Sequence, residues 1–471
     1  MSHRSLSVVA LTTCLVLALQ SVKADAPNSV EVLPQLTTIG ERPVAAVEAA
    51  TITRTGAIDV DVETLDAMAH EVSEGATLAL FDGVSVTARV NRIEYRGETS
   101  YSVGGALDDI QGGTIVFVRE GDVVLGNVWA GQLGTYEIRK GDGGLVVHEL
   151  NTAAFDPCGT PEPPMALPEG AGAPTEGQVC VDDGSEIKVL IAFTPASVAA
   201  LGGQQQMLGF AQLCISTTNQ AYQNSDIAPR AVLASFTQVD YVESGDGFID
   251  RDRLTNTNDG FIDEIHDLRD QVDADVVSMI VNNIGACGVA NFSVSFGNIG
   301  AESLAFNVTR RDCAVGNLSF PHELGHNQGS RHDRAADSNN GAFAYSHGFV
   351  APNAAFRTVM ATSNLAAVRI PFFSNPDIDF GGQPTGIASN LANSADNARS
   401  IDSTALVVAN FRTEECVIPG DLNGDGFING TDIAIMLSVW NSNGSGTLAD
   451  INGDGIVNGG DLAFVLANWT G

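Results

Sequence analysis

The chain predicts a multidomain architecture: a β-rich leading region, an α/β domain on a mixed, mostly parallel sheet, and a small α-helical module at the C-terminal end. Three observations carry this prediction. Residues 75–150 alternate apolar and polar side chains in short runs broken by Gly and Asp, as in "VSVTARVNRIEYRG" and "GTIVFVREGDVVLGNV", the pattern of an antiparallel β meander. From Glu186, "IKVLIAFTP", "PASVAALGGQQQMLGFAQLCISTTNQAYQNS", "APRAVLASFTQVDY" and "DEIHDLRDQVDADVVSMIVNN" read as strand, helix, strand, then helix and strand again. The last stretch holds an internal repeat, "DLNGDGFINGTDIAIMLSVW" and "DINGDGIVNGGDLAFVLANW". With 471 residues, the chain is long enough for two to four units, each with its own core.

The N-terminus carries His3 and Arg4, an apolar run from Leu6 to Leu19 and the small-residue site Val22-Lys23-Ala24. This predicts an export signal over residues 1–24, too short to span a bilayer. No later segment is long and apolar enough to do so. Asp and Glu exceed Lys and Arg by 57 to 23, for a net charge of -34. Such a surface excludes nucleic acid as a partner, repels anionic membranes and attracts cations. Removing the signal removes Cys14 and leaves Cys158, Cys180, Cys214, Cys287, Cys313 and Cys416. An even set in an exported chain favours three disulfides, with Cys158–Cys180 and Cys287–Cys313 the nearest pairs in sequence.

The β-rich region over residues 25–155 has no cysteine, and its isolated His70 and His148 read as surface residues. Residues 156–184 contain six prolines and many small residues and read as a protease-accessible linker. The α/β domain spans 185–413 and the terminal module 417–471.

Chemistry concentrates in "SFPHELGHNQGSRHD". His322 and His326 lie one helical turn apart and project from one face. Gly329 can take the positive φ that turns the chain and returns His332 to the same point. Three neutral imidazoles leave a fourth position on a zinc ion open, as catalytic sites do. Glu323 follows the first histidine and stands where a general base would take a proton from zinc-bound water. Downstream, "FRTVMATSN" places Met360 in a short apolar turn. The combination resembles the metzincin zinc endopeptidases, with the motif H-E-x-x-H-x-x-G-x-x-H and a methionine turn. "IKVLIAFTPASVAALGG", "HDLRDQVDADVVSMIV" and "RIPFFSNPDIDFGGQPTG" extend the resemblance to bacterial reprolysin-like proteases, including the peptidyl-Asp metalloendopeptidase group.

That resemblance implies a metzincin-like catalytic domain, one catalytic zinc held by His322, His326 and His332, Glu323 as the base, Asp333 as the residue marking the subfamily, and Met360 as a floor. Protein or peptide chains would be the substrates, and the β-rich region would be a pro-region. Cutting before an acidic residue needs a cation beside the receiving pocket; Arg369 is the candidate, against the alternative that it anchors its own loop. Arg357 lies just before the methionine turn. His347, Tyr345 and His266 read as structural. Cys158 could cap the zinc, but cysteine parity favours a disulfide. "SGDGFIDRD" reads as a turn, and "NDGFIDEI" as a helix start.

In the terminal repeat Asp421, Asn423, Asp425, Asn429 and Asp432 take positions one, three, five, nine and twelve of a calcium loop, with Phe427 offering its carbonyl at seven. Asp450, Asn452, Asp454, Asn458 and Asp461 repeat this, with Ile456 at seven. Each loop leads into one apolar helix, which resembles a type I dockerin pair. Two calcium ions and a cohesin-like partner are what that resemblance implies. The sequence therefore predicts a secreted or cell-surface zinc endopeptidase; its rival is a calcium-dependent surface-binding protein with an inactive zinc domain.

Overall fold

The computed structural model describes residues 33–42, 44, 49–71, 74–159, 182–295, 301–412, 420, 422, 428–442, 449–451 and 455–469. The meander is part of a closed nine-stranded barrel. Its strands are β1 Gln35–Ile39, β2 Ile52–Val60, β3 Gly75–Phe81, β4 Val84–Gly97, β5 Ser100–Leu107, β6 Thr114–Glu120, β7 Val123–Trp129, β8 Thr135–Gly141 and β9 Gly144–Leu150, with helix α1 (Val62–Met68) after β2. β3 to β9 run in sequential antiparallel pairs, β2 pairs with β9, and β1 closes the ring by pairing antiparallel with β2 and parallel with β3. The turn between β3 and β4 is the tight Asp82-Gly83 pair, with Gly83 at φ 75° where a side chain is strained.

β4 shows the alternation expected of a barrel wall, whereas β6 is buried along Thr114–Val118 on both faces. The reason is a second layer. Ile115 and Phe117 point into the barrel core with Leu36, Ile58 and Leu65, while Val116 and Val118 join the core of the α/β domain with Phe210 and Leu213. Arg92 and Glu94 of β4 form an ion pair at this junction. Arg92 donates to the Ser216 carbonyl at 2.7 Å and to Gln220 Oε1 at 3.2 Å, and Glu94 accepts from Ser216 Oγ and Asn219 Nδ2, both at 2.7 Å. Satisfying both charges this fully lets an ion pair lie buried between two apolar layers.

The α/β domain contains β10 Glu186–Phe193, α2 Pro195–Leu201, α3 Met207–Asn224, β11 Arg230–Gln238, α4 Gly247–Thr255, α5 Glu264–Gln271, β12 Val276–Val281, β13 Gly288–Ala290, β14 Phe306–Arg310, α6 Arg311–Ala314, α7 Ser319–Asn327 and α8 Asn397–Val408. The sheet order is β11-β10-β12-β14-β13, parallel except for the edge strand β13, which runs antiparallel to β14. The helical stretch after β10 is broken where Gly202 and Gly203 both take positive φ. "SGDGFIDRD" is not a turn: Asp246 accepts from the Phe248 amide and caps α4. Two further helices, α9 Gly430–Ser438 and α10 Gly459–Ala467, pack around Ile428, Met436, Val457 and Val465. Among the described residues no helix is long and apolar enough to cross a membrane.

Cysteine parity misleads in this chain. Cys287 and Cys313 form a disulfide, but Cys158 and Cys214 are free and buried, so three disulfides are not made. Cys180 and Cys416 lie outside the described residues. His148 is likewise no surface residue: it is 2% exposed, because β9 lies against the α/β domain. His70 is exposed just beyond α1 and bonds to the Asp66 carbonyl of that helix.

Candidate metal centre and active site

Helix α7 is buried along its whole length. Its C-terminal end is tied to the sheet by Asn327, whose amide donates to the Asn291 and Phe306 carbonyls and accepts from Asn307. His322 and His326 lie on one face of α7. Gly329 at φ 84° turns the chain, and an added Cβ there would lie 2.6 Å from Ala342 Cβ and 2.9 Å from the Val294 carbonyl oxygen. The turn returns His332, and the three Nε2 atoms lie 3.1 Å from one another.

Two backbone carbonyls set the ring tautomers. His322 Nδ1 donates to Val359 O and His326 Nδ1 donates to Ser330 O, both at 2.8 Å. The Nε2 atoms of these two rings then present lone pairs toward the common centre, while His332 Nδ1 has no partner among the described residues. Burial holds all three imidazoles below the ordinary histidine range. A tetrahedral ion with metal–nitrogen bonds of roughly 2.0–2.1 Å has ligand nitrogens roughly 3.3–3.4 Å apart. The observed triangle fits zinc with little adjustment.

Glu323 extends from the same turn toward β13, and neither of its buried carboxylate oxygens has a hydrogen-bond partner among the described residues. Burial pushes its pKa up to about 8, with Cys158 and Arg369 pulling the other way. Gly288 on the edge strand makes room for it: a Cβ at Gly288 would lie 2.4 Å from Glu323 Oε1. A Cβ at Gly325 would likewise lie 2.7 Å from Met360 Sδ, so the methionine packs against the bare side of the helix. Both glycines escaped the sequence reading because only the tertiary approach explains them. Asp333 accepts from the amides of Thr362 and Ser363 at 2.9 and 3.0 Å, which ties the third histidine's loop to the methionine turn.

Arg369 is buried beside this centre. Its guanidinium donates to Val359 O and to Asn317 O and lies 2.7 Å from His322 Nδ1. Arg357 is also buried and holds the carbonyls of Ala361 and Ala367 in its own loop. His347 donates to the His332 carbonyl at 2.9 Å, a structural contact. His266 lies against Phe306 on α5.

Pro157–Gly159, at the start of the expected linker, enter the site, while residues 160–181 lie outside the described residues. Cys287 N donates to Pro157 O and Gly159 N to Gly288 O, at 3.3 and 2.8 Å, so Pro157–Gly159 runs along the edge strand. Cys158 lands between these bonds, and its Sγ lies within 4.8 Å of the ligand atoms of His322 and Glu323. Burial pushes its thiol well above the usual range, with Glu323 adding to this and Arg369 opposing it.

Residues 185–391 match the reprolysin-like metallopeptidase family M12B. The chain is 36% identical over 316 residues to a peptidyl-Asp metalloendopeptidase of Stenotrophomonas maltophilia, covering 64% of this chain and 72% of that one. It is 33% identical over 374 residues to a peptidyl-Asp metalloendopeptidase of Xanthomonas campestris, covering 75% and 86%. The chain belongs to this reprolysin-like metallopeptidase family. It is a zinc metalloendopeptidase.

Residues 419–468 match the type I dockerin domain. In both repeats the residue at position twelve, Asp432 or Asp461, accepts from two backbone amides: Leu422 and Asn429 in the first, Ile451 and Asn458 in the second. Asn429 and Asn458 cap α9 and α10. Asp450 and Ile456 lie in the second loop. Asp421, Asn423, Asp425, Phe427, Asn452 and Asp454 lie outside the described residues.

Proposed function

We propose that this metalloendopeptidase is an exported precursor whose zinc is held by His322, His326 and His332, with Glu323 as general base. The observation that supports the assignment is the triangle of three imidazole Nε2 atoms beside a buried carboxylate that accepts no hydrogen bond among the described residues. Bound zinc supplies an acidified water and polarises the substrate carbonyl. Glu323, held within reach by α7, would take a proton from the attacking water and pass it to the leaving amine. Gly329, Asp333 and Met360 support the ligands.

The β-rich region is the pro-region, and Cys158 occludes the centre until that region is removed. The free thiol between His322 and Glu323 supports this reading. The relatives' name supports cutting before aspartate. Arg369 is the cation that reads the acidic side chain, a reading supported by its place beside His322 at the centre. Each terminal loop binds one calcium, and the repeat pair offers a docking surface for a cohesin-like module.

The test is proteolysis of a denatured protein mixture by the mature chain beside Glu323→Ala, with zinc measured in both and cut sites read by mass spectrometry. The expected result is equal zinc, a rate at least about 10³-fold lower in the variant, and cuts before Asp in the parent. Equal zinc with no loss of cleavage would remove Glu323 from the role of base, and cuts without acidic preference would remove Arg369 from the role of reader.

A further inference from the structure

We propose that the cavity between the barrel and the α/β domain is a binding site for a small oxyanion, gripped by one guanidinium from each side. The cavity encloses about 300 Å³. Its barrel wall brings Arg139 and Lys140 from β8 and His148 from β9; its other wall brings Arg311, the first residue of α6, over an apolar floor that includes Leu201 and Phe210.

The two arginines have nothing to hold. Among the described residues neither the Arg139 nor the Arg311 guanidinium donates a hydrogen bond to the protein or forms an ion pair, and Arg311 Nε is buried without a partner. By contrast the buried guanidiniums of Arg92, Arg269 and Arg331 each donate to an acceptor of the protein. A desolvated N–H without an acceptor carries its full desolvation cost, which a bound acceptor would remove. Glu137 and Asp142 also line the cavity, so three cations face two carboxylates in a chain whose net charge is -34. Mutual repulsion is evident. Burial and then Arg139 hold Arg311 below its ordinary value, and burial, Arg139 and Arg311 together hold His148 down at about 4.

A phosphate, sulfate or carboxylate group matches this arrangement, because the guanidinium fork donates two parallel bonds to such oxygens. One arginine comes from the barrel and the other from the segment leading into α7, so a bound oxyanion would join the two.

The experiment is calorimetric titration of the full-length chain with inorganic phosphate at constant ionic strength, set with sodium chloride, for the parent, Arg139→Gln and Arg311→Gln. The expected result is saturable one-to-one binding in the parent and affinity weaker by about tenfold or more in each variant. Absence of saturable binding in the parent overturns the site, as does parent affinity in either variant. Should Arg311→Gln fail to fold, Arg311→Lys keeps the charge and loses the fork; it is expected to weaken phosphate binding severalfold, and parent affinity there overturns the bidentate contact.

Discussion

Gly329 shows how a single backbone angle completes the metal centre. Its φ of 84° and the 2.6 Å approach to Ala342 leave no room for a side chain. Gly329→Ala is expected to destabilise the protein by about 1–2 kcal/mol from the left-handed backbone alone, with the overlap adding to it. It should also lower the bound zinc per chain, since His332 reaches the centre only through this turn; zinc analysis beside thermal unfolding checks both, and full zinc with an unchanged melting temperature would contradict the account. The histidines, Glu323 and Gly329 were legible because their geometry follows from helical periodicity and one turn. Gly288 and Gly325 were not, because their reasons lie 35 residues away on α7 and Met360 (323 minus 288; 360 minus 325). Cys158 was misread because counting cysteines says nothing about which of them folding brings together.

At the level of elements, the edge strand β13 is the structure's open rail, and the stretch Pro157–Gly159 occupies it. An edge strand offers unpaired amides and carbonyls to any extended chain, so the same segment that covers them also places Cys158 over the centre. Cys158→Ala is expected to leave the fold intact, since Asp156 still pairs with Arg310 and both backbone bonds remain. The uncut precursor carrying it should hydrolyse a short peptide at least about tenfold faster than the uncut parent, because a thiolate is a strong zinc ligand and a methyl group is none. Equal rates in the two precursors would assign occlusion to the backbone and not to the thiol. The α/β order was readable from strand and helix periods, and the meander from its alternation. The closing of the barrel by β1 and β2 was not, because β1 is only five residues long and its pairing with β3 is non-local. The doubly buried β6 hid its alternation for the related reason that it serves two cores.

For the whole molecule, the joint between barrel and protease domain contains a titrating group. His148 bonds to Thr55 at 2.8 Å and faces Glu137 and Arg139 on β8 and Arg311 on α6. Burial, then Arg139, lowers its pKa from 6.5 to about 4, with Glu137 opposing. Between those values the unfolded chain binds more protons than the folded one, so stability rises with pH across this window. The contribution is fully present above about 6.5 and is lost as the pH falls through about 4, a change of ~3 kcal/mol for a shift of this size. Because the carboxylates and the net charge titrate as well, the informative quantity is the difference between two chains. His148→Gln, which can still bond to Thr55, should lose less stability than the parent between pH 7 and pH 4, as read from melting temperatures of the full chain at matched ionic strength. Parallel curves for the two would mean that the imidazole is protonated at this joint without cost, and that its neutral state does not help to hold barrel and protease domain together.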